Sequence, residues 1–268
     1  MSEQLVQYAV DGGIATITLD SPKNRNALST RLVQGVADSL QSAAQDDDVR
    51  AVVLTHTGGT FCAGADLQEA AESGGEQLDP LKVAKLRTSQ MRDLLRAIVA
   101  HPKPVIGQIN GHVRAGGMGL VGACDLVAAG PDSTFALTEA RLGLAASIIS
   151  LTLLPKMDSR AASRYFLTGE KFDSETAQQI GLVTQASADP AATVTQWSAE
   201  LVKASPQGLR ESKGLTTAEV LAGIDQRGDE LAALSARLFA SEEAREGMIA
   251  FLQRRPPRWA EKYETVGR

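Results

Sequence analysis

Phe61-Cys62-Ala63-Gly64-Ala65-Asp66-Leu67 and Asn110-Gly111-His112-Val113-Arg114-Ala115-Gly116-Gly117-Met118-Gly119 are the two stretches on which the reading of this chain turns. Each follows a short β-prone run, Ala51-Val52-Val53-Leu54-Thr55 in the first case and Val105-Ile106-Gly107-Gln108-Ile109 in the second. Each leads into the expected start of a helix. Small residues there let backbone N–H groups approach a ligand closely. Helix N-termini add unpaired donors and a partial positive charge. Two such donors converging on one oxygen would form an oxyanion hole. The bland alternative is a pair of tight strand-to-helix turns whose small residues serve packing alone.

Outward from these turns, the pattern alternates strand and helix. Val6 to Leu19 reads as a β-hairpin around Asp11-Gly12-Gly13. Ser21 to Asn26 is a loop, and Ser29 or Thr30 is positioned to cap a helix with the stripe Leu32, Val33, Val36, Leu40 and Ala44. A strand is expected from Val49 to Thr55, completing one strand–helix–strand unit. Glu72 to Gln77 reads as a polar loop. Leu81 to Ala100 reads as a helix with Met91, Leu94, Leu95 and Ile98 on one face, ended by His101-Pro102-Lys103-Pro104. Val105–Ile109 is the next strand, Gly116 to Cys124 a buried helix, and Leu126–Ala129 and Thr134–Leu137 short strands. From Arg160 onward the chain reads as largely helical, with a C-terminal helix from Leu231 to Leu252.

The chain has 268 residues, 43% of them hydrophobic, enough for one large α/β domain. The 27 basic and 32 acidic residues are mixed along it and leave a net charge of −5, which offers no clustered basic face for nucleic acid. Apolar runs fall far short of the ~20 residues that a bilayer span needs. Met1 to Leu5 lacks a secretory pattern. Cys62 and Cys124 give neither a disulfide framework nor zinc spacing, so no metal is expected and a reducing, cytoplasmic setting is.

The wording and spacing of the two glycine stretches resemble the enoyl-CoA hydratase/isomerase family, also called the crotonase family, over roughly residues 5 to 260. The resemblance implies an α/β fold of stacked ββα units wound as a spiral, with residues 1–195 as the core and 196–268 as a helical, trimerising region of the same domain. It implies a homo-trimer or hexamer and an acyl-CoA substrate, with coenzyme A arriving as part of that substrate and no permanently bound cofactor. Motif matching puts the oxyanion donors on Ala65 and Gly116. It lays the CoA moiety on Lys23 to Leu28, with Lys23, Arg25, Ala27 and Leu28 in contact, and on the turn of Ala63, Asp66 and Leu67. Phe251 and Arg254 match C-terminal positions that touch the nucleotide; a solvated helix end is the alternative for the basic pair Arg254-Arg255. The segment from Gln68 to Leu86 is expected to shape the acyl pocket.

Hydratases of the family use two glutamates, one to activate water and one to protonate the α-carbon. The second matches Glu139; the first falls on Gly119 and is missing. A surface carboxylate paired with Arg141 is the alternative for Glu139. The Pro-Gly-rich turn that family hydratases carry next is replaced by Leu144-Ala145-Ala146-Ser147-Ile148-Ile149-Ser150. Both departures point to double-bond isomerisation by one glutamate. An atypical hydratase and a non-catalytic acyl-CoA-binding protein are the other readings. Gly117-Met118-Gly119-Leu120-Val121-Gly122 also spells G-x-G-x-x-G, but it stands too far from Ile109 for a dinucleotide turn. His112 and Arg114 are weaker candidates near the site, His56 and His101 read as loop residues, Cys62 as a small buried filler, and Asp66 as a helix cap.

Overall fold

Gly12 and Gly13 both take positive φ (54° and 80°) and join Val6–Asp11 (β1) to Ile14–Leu19 (β2) in the expected antiparallel hairpin. This is a computed structural model, and it describes residues 4–66, 69, 80–261 and 263. The expected Glu72–Gln77 loop and the site candidate Leu67 lie outside the described residues.

β2 buries Ala15, Ile17 and Leu19 on one face and pairs in parallel with Ala51–His56 (β3). Between them runs Thr30–Gln45 (α1), capped by the Ser29 side chain, which accepts from the Leu32 amide at 3.3 Å. Its buried face is Leu32, Val36, Leu40 and Ala43, so the stripe ends one position before Ala44. Beyond β3, the chain gives one strand to each of two sheets on every turn. Val105–Ile109 (β5), Leu126–Ala129 (β7) and Gln185–Ala186 (β10) extend the first sheet in the order β1-β2-β3-β5-β7-β10. Thr60–Cys62 (β4), His112–Arg114 (β6), Thr134–Ala136 (β8) and Phe172–Asp173 (β9) form the second. Helices follow β4 and β6: Pro80–Val99 (α2) and Gly116–Ala123 (α3). This is the stacked ββα spiral.

One core fills the space among α1, α2, α3 and the two sheets, from Ile17 and Leu54 through Phe61, Ile98 and Met118 to Phe135. The opposite face of β3, β5 and β7 is covered by Pro190–Leu201 (α7), where Val194 and Trp197 meet Val53, Ile106 and Ala128. Ser150–Leu153 (α4), Ser159–Thr168 (α5) and Ser174–Gln179 (α6) lie between.

The C-terminal part departs from the sequence expectation. A helix of 34 residues, Pro206–Phe239 (α8), runs along α2, tied by Arg96–Asp225 at 2.7 Å and by Arg92 with Asp229. It does not continue to Leu252. The chain breaks at Ala240, and Ser241 starts a new helix, Glu242–Leu252 (α9), by accepting from the Ala244 amide at 3.2 Å. Glu242 and Glu243 in its first turn favour the positive end of the new helix.

Candidate active site

The first glycine turn is fixed by conformation. Gly64 has φ +91°, a region L side chains rarely adopt, and a β-carbon there would stand 2.8 Å from that of Ala115. The second turn comes to meet it. Gly116 N lies 3.6 Å from that same hypothetical β-carbon, and a β-carbon on Gly116 would stand 3.9 Å from the Gly64 Cα and 2.8 Å from Leu28 Cδ1. Ala115 carries the strain of the approach, with φ 47° and ψ −120°. Its amide donates to Ala136 O at 3.1 Å, which anchors the turn to the end of β8. Ala65 is exposed and Gly116 half-buried. Among the described residues neither amide has a protein acceptor.

The Lys23–Leu28 loop is fastened to this pair of turns. Leu28 N donates to Gly64 O at 2.8 Å, and Ala63 N to Arg25 O at 3.1 Å. Asn24 Nδ2 donates to Asp66 Oδ2 at 3.0 Å, while Asp66 Oδ1 accepts from Glu69 N at 3.1 Å, the capping role expected of it. Glu69 in turn accepts from Thr30 N at 3.0 Å and pairs with Arg87 at 3.0 Å. Arg25 and Asn26 both sit in the left-handed region. Asn26 is fully buried: Oδ1 accepts from Ser21 N at 2.7 Å, and Nδ2 donates to Thr57 O and Thr60 O at 3.1 and 2.8 Å. Lys23 and Arg25 are exposed beside it, Ala27 is buried, and Leu28 and Ala63 are half-buried.

Glu139 opens a 3-10 turn, Glu139–Leu142, three residues beyond β8. Gly143 and Leu144 return their amides to Glu139 O, and α9 packs so tightly that a β-carbon on Gly247 would stand 2.5 Å from Leu142 O. The residue is half-buried, yet its Oε2 is sealed from solvent and has no hydrogen-bond partner among the described residues. Burial pushes its carboxyl up to about 7, opposed only by its own backbone amide. The pairing with Arg141 does not occur: Arg141 is exposed and its Nε donates to Thr168 O at 2.8 Å. A carboxyl that ionises near neutrality with one oxygen free is suited to take and return a proton.

The G-x-G-x-x-G match belongs to packing. A β-carbon on Gly117 would stand 2.7 Å from that of Cys62, and one on Gly122 2.8 Å from Thr152 O, so these glycines face protein in a buried helix. Arg114 is half-buried, and its guanidinium donates to Val113 O and to Thr134 O and Oγ1 at 2.6–2.8 Å. His112 is exposed, with Nδ1 3.0 Å from Thr134 Oγ1. His101 is a buried loop residue, held by Lys103 O and Leu40 O at 3.0 Å. Cys62 is buried, which pushes its thiol up to about 12 and leaves it an inert filler. Phe251 and Arg254 are exposed at the end of α9, whereas Arg255 makes a bidentate pair with Glu246 at 2.7 and 3.1 Å. Among the described residues no group of acidic, histidine or cysteine side chains could hold a metal, and no helix is long and apolar enough to cross a membrane.

Two strands per turn, laid into two stacked sheets with helices following, define a crotonase-type fold. The profile of the enoyl-CoA hydratase/isomerase family matches residues 9–262. The chain belongs to that family and is an enzyme of its kind, acting on acyl-CoA. The crystal structure of an enoyl-CoA hydratase from Mycobacterium avium is similar with a TM-score of 0.88 and 54% identity, over 96% of this chain and 99% of that one. A second enoyl-CoA hydratase structure, from Mycobacterium avium subsp. paratuberculosis K-10, has a TM-score of 0.82 and 26% identity over 94% and 97%. The 2,3-dehydroadipyl-CoA hydratase of Escherichia coli K12 is 30% identical over 91% of this chain and 94% of its own length.

Proposed function

We propose that the protein moves the double bond of a 3-enoyl-CoA to the 2-position, with Glu139 as its single proton carrier. The observation that carries this reading is Glu139 itself: a carboxyl held near neutrality whose Oε2 is sealed from solvent and without a hydrogen-bond partner among the described residues, in a chain whose other carboxylate position is Gly119. In this mechanism the Glu139 carboxylate removes a proton from C2. The electron pair of the breaking C–H bond moves through the thioester carbonyl, giving a dienolate. The Ala65 and Gly116 amides hold the developing negative charge on the thioester oxygen. Glu139 returns the proton at C4, the C4–H bond forms, and the double bond settles between C2 and C3. Nothing is consumed and no water enters the reaction.

The CoA moiety rests on the Lys23–Leu28 loop and the Ala63–Asp66 turn, whose mutual hydrogen bonds support such a role. Phe251 and Arg254 complete the site of a neighbour in a trimer or a pair of trimers in the cytoplasm. The apolar tip of α9, with Phe251 61% and Leu252 55% exposed, supports assembly. Light scattering should report a multiple of three chains; a stable monomer at micromolar concentration would rule the assembly out.

Hydration of a 2-enoyl-CoA is the second reading, favoured by the hydratase names of the relatives above. A panel of 2-enoyl- and 3-enoyl-CoA thioesters, assayed for hydration and isomerisation together, separates the two. Isomerisation of 3-enoyl substrates should dominate. Rapid hydration of 2-enoyl substrates with no isomerisation would transfer the chain to the second reading.

A further inference from the structure

Gly119 lies one helical turn beyond Gly116 on α3, so the two share a face. Met91, on α2, marks that face: its Cε lies 3.7 Å from a β-carbon placed on Gly116 and 3.3 Å from one placed on Gly119. The space over Gly119 is filled from another direction. A β-carbon on Gly119 would stand 2.4 Å from Cγ2 and 2.9 Å from Cβ of Ile149. Ile149 is 4% exposed and closes a buried run from Ala146. Its position is not adjustable at small cost. Thr152 Oγ1 is placed 3.0 Å from Gly119 O and 3.2 Å from Ile149 O, and Leu153 N donates to Ile149 O at 3.0 Å. The start of α4 is thereby pinned to the backbone of α3.

We infer that Ile149, backed by Met91, determines the reaction type by filling with hydrocarbon the volume that a second carboxylate and its water would occupy. The inference rests on the isomerase reading above and deepens it. A bound water needs two to four polar partners, and a wall of isoleucine and methionine supplies none. A dienolate formed against that wall meets one proton source, Glu139. The proton taken from C2 is then the proton returned at C4, without exchange into solvent. Ile149 touches no proton in this scheme; it sets specificity by exclusion.

Three variants test this: Gly119→Glu, Ile149→Ala, and the pair Gly119→Glu with Ile149→Gly. Gly119→Glu alone should gain no hydration of 2-enoyl-CoA and should melt well below the parent, because its side chain collides with Ile149. The pair should recover part of that melting loss and gain about 10²-fold or more in hydration. Equal hydration gains with and without the Ile149 change would overturn the inference, as would a folded pair that gains none. Where the pair does not fold, Ile149→Ala carries the test with a 3-enoyl-CoA in D2O. Its product should contain several-fold more solvent deuterium at C4 than that of the parent; an unchanged deuterium content overturns the inference. Melting temperatures of the four proteins report the Ile149–Gly119 conflict independently of turnover. If the parent shows no isomerisation, the functional reading has failed; if the melting losses of Gly119→Glu and the pair are equal, this inference has.

Discussion

Leu28 N donates to Gly64 O at 2.8 Å, so the loop expected to carry coenzyme A and the turn expected to carry an oxyanion donor are one hydrogen-bonded unit. Asn26 is the keystone of that unit, since its side chain satisfies one buried and two part-buried backbone groups from a left-handed conformation. Asn26→Ala leaves those groups unpaired at about 1–3 kcal/mol for each buried group lost, and alanine tolerates positive φ less well than asparagine. The expected outcome is a destabilisation above about 2 kcal/mol in urea unfolding, with KM for an acyl-CoA raised more than kcat is lowered. An unchanged KM would detach the loop from substrate binding.

Glu139 links activity to stability through one proton. Its carboxyl ionises near 7 in the folded protein and near 4.5 when exposed. The folded state therefore binds this proton more tightly than the unfolded state, and stability falls as pH rises between those values. Above about pH 7 the folded protein bears the full cost of the buried charge. Glu139→Gln removes that cost and should stabilise the protein at pH 8 by on the order of 1–3 kcal/mol, with the gain vanishing toward pH 4.5. In parallel, isomerisation by the parent, which needs the carboxylate, should rise with pH through about 7. Thermal unfolding of both proteins across this range checks the sign; a Gln variant less stable at pH 8 would contradict the assignment of a sealed carboxylate.

Lys213, on α8, is 6% exposed, and its Nζ reaches Asp125 Oδ2 at 2.7 Å, Ile98 O at 2.9 Å and Lys103 O at 3.2 Å. It ties the long C-terminal helix to the end of α2 and the start of β5, where Asp125 also accepts from Val105 N at 2.7 Å. Burial lowers the lysine's pKa, against which the Asp125 charge holds the proton on. Lys213→Ala should cost about 3–5 kcal/mol, because Asp125 is left as an uncompensated buried charge. Adding Asp125→Asn should recover part of the loss. A single-variant loss under about 1 kcal/mol in urea unfolding would show the pair to be incidental.

The local signals in the sequence carried the hairpin, α1, α2, α3 and the two glycine turns, because each is encoded over a few neighbouring residues. Gly12-Gly13 specifies its turn, Ser29 its cap, and the Leu32–Val36–Leu40 spacing its buried face. The second sheet was only partly legible. β4, β6, β8 and β9 have two or three residues each, too few for a period of two to register, and are held by pairing with distant strands. The break at Ala240 had a signal, Ser241 followed by Glu242 and Glu243, but the apolar positions on both sides of it suggested one helix. Asn26 resembles any polar loop residue until its three partners, up to 34 positions away, are known. The collision between Ile149 and a side chain at 119 exists only in three dimensions. The sequence showed two separate departures, Gly119 and the Leu144–Ser150 turn; the fold joins them through Ile149.

The central claim is that one carboxylate carries the chemistry. The most direct measurement is the rate of conversion of a 3-enoyl-CoA to its 2-enoyl isomer by the parent and by Glu139→Gln, each shown to be folded. The account predicts a loss of about 10²–10⁴-fold in the variant, with hydration of a 2-enoyl-CoA slow in both proteins. Isomerisation that survives Glu139→Gln, or rapid hydration that does so, would place the chemistry on another residue and contradict it.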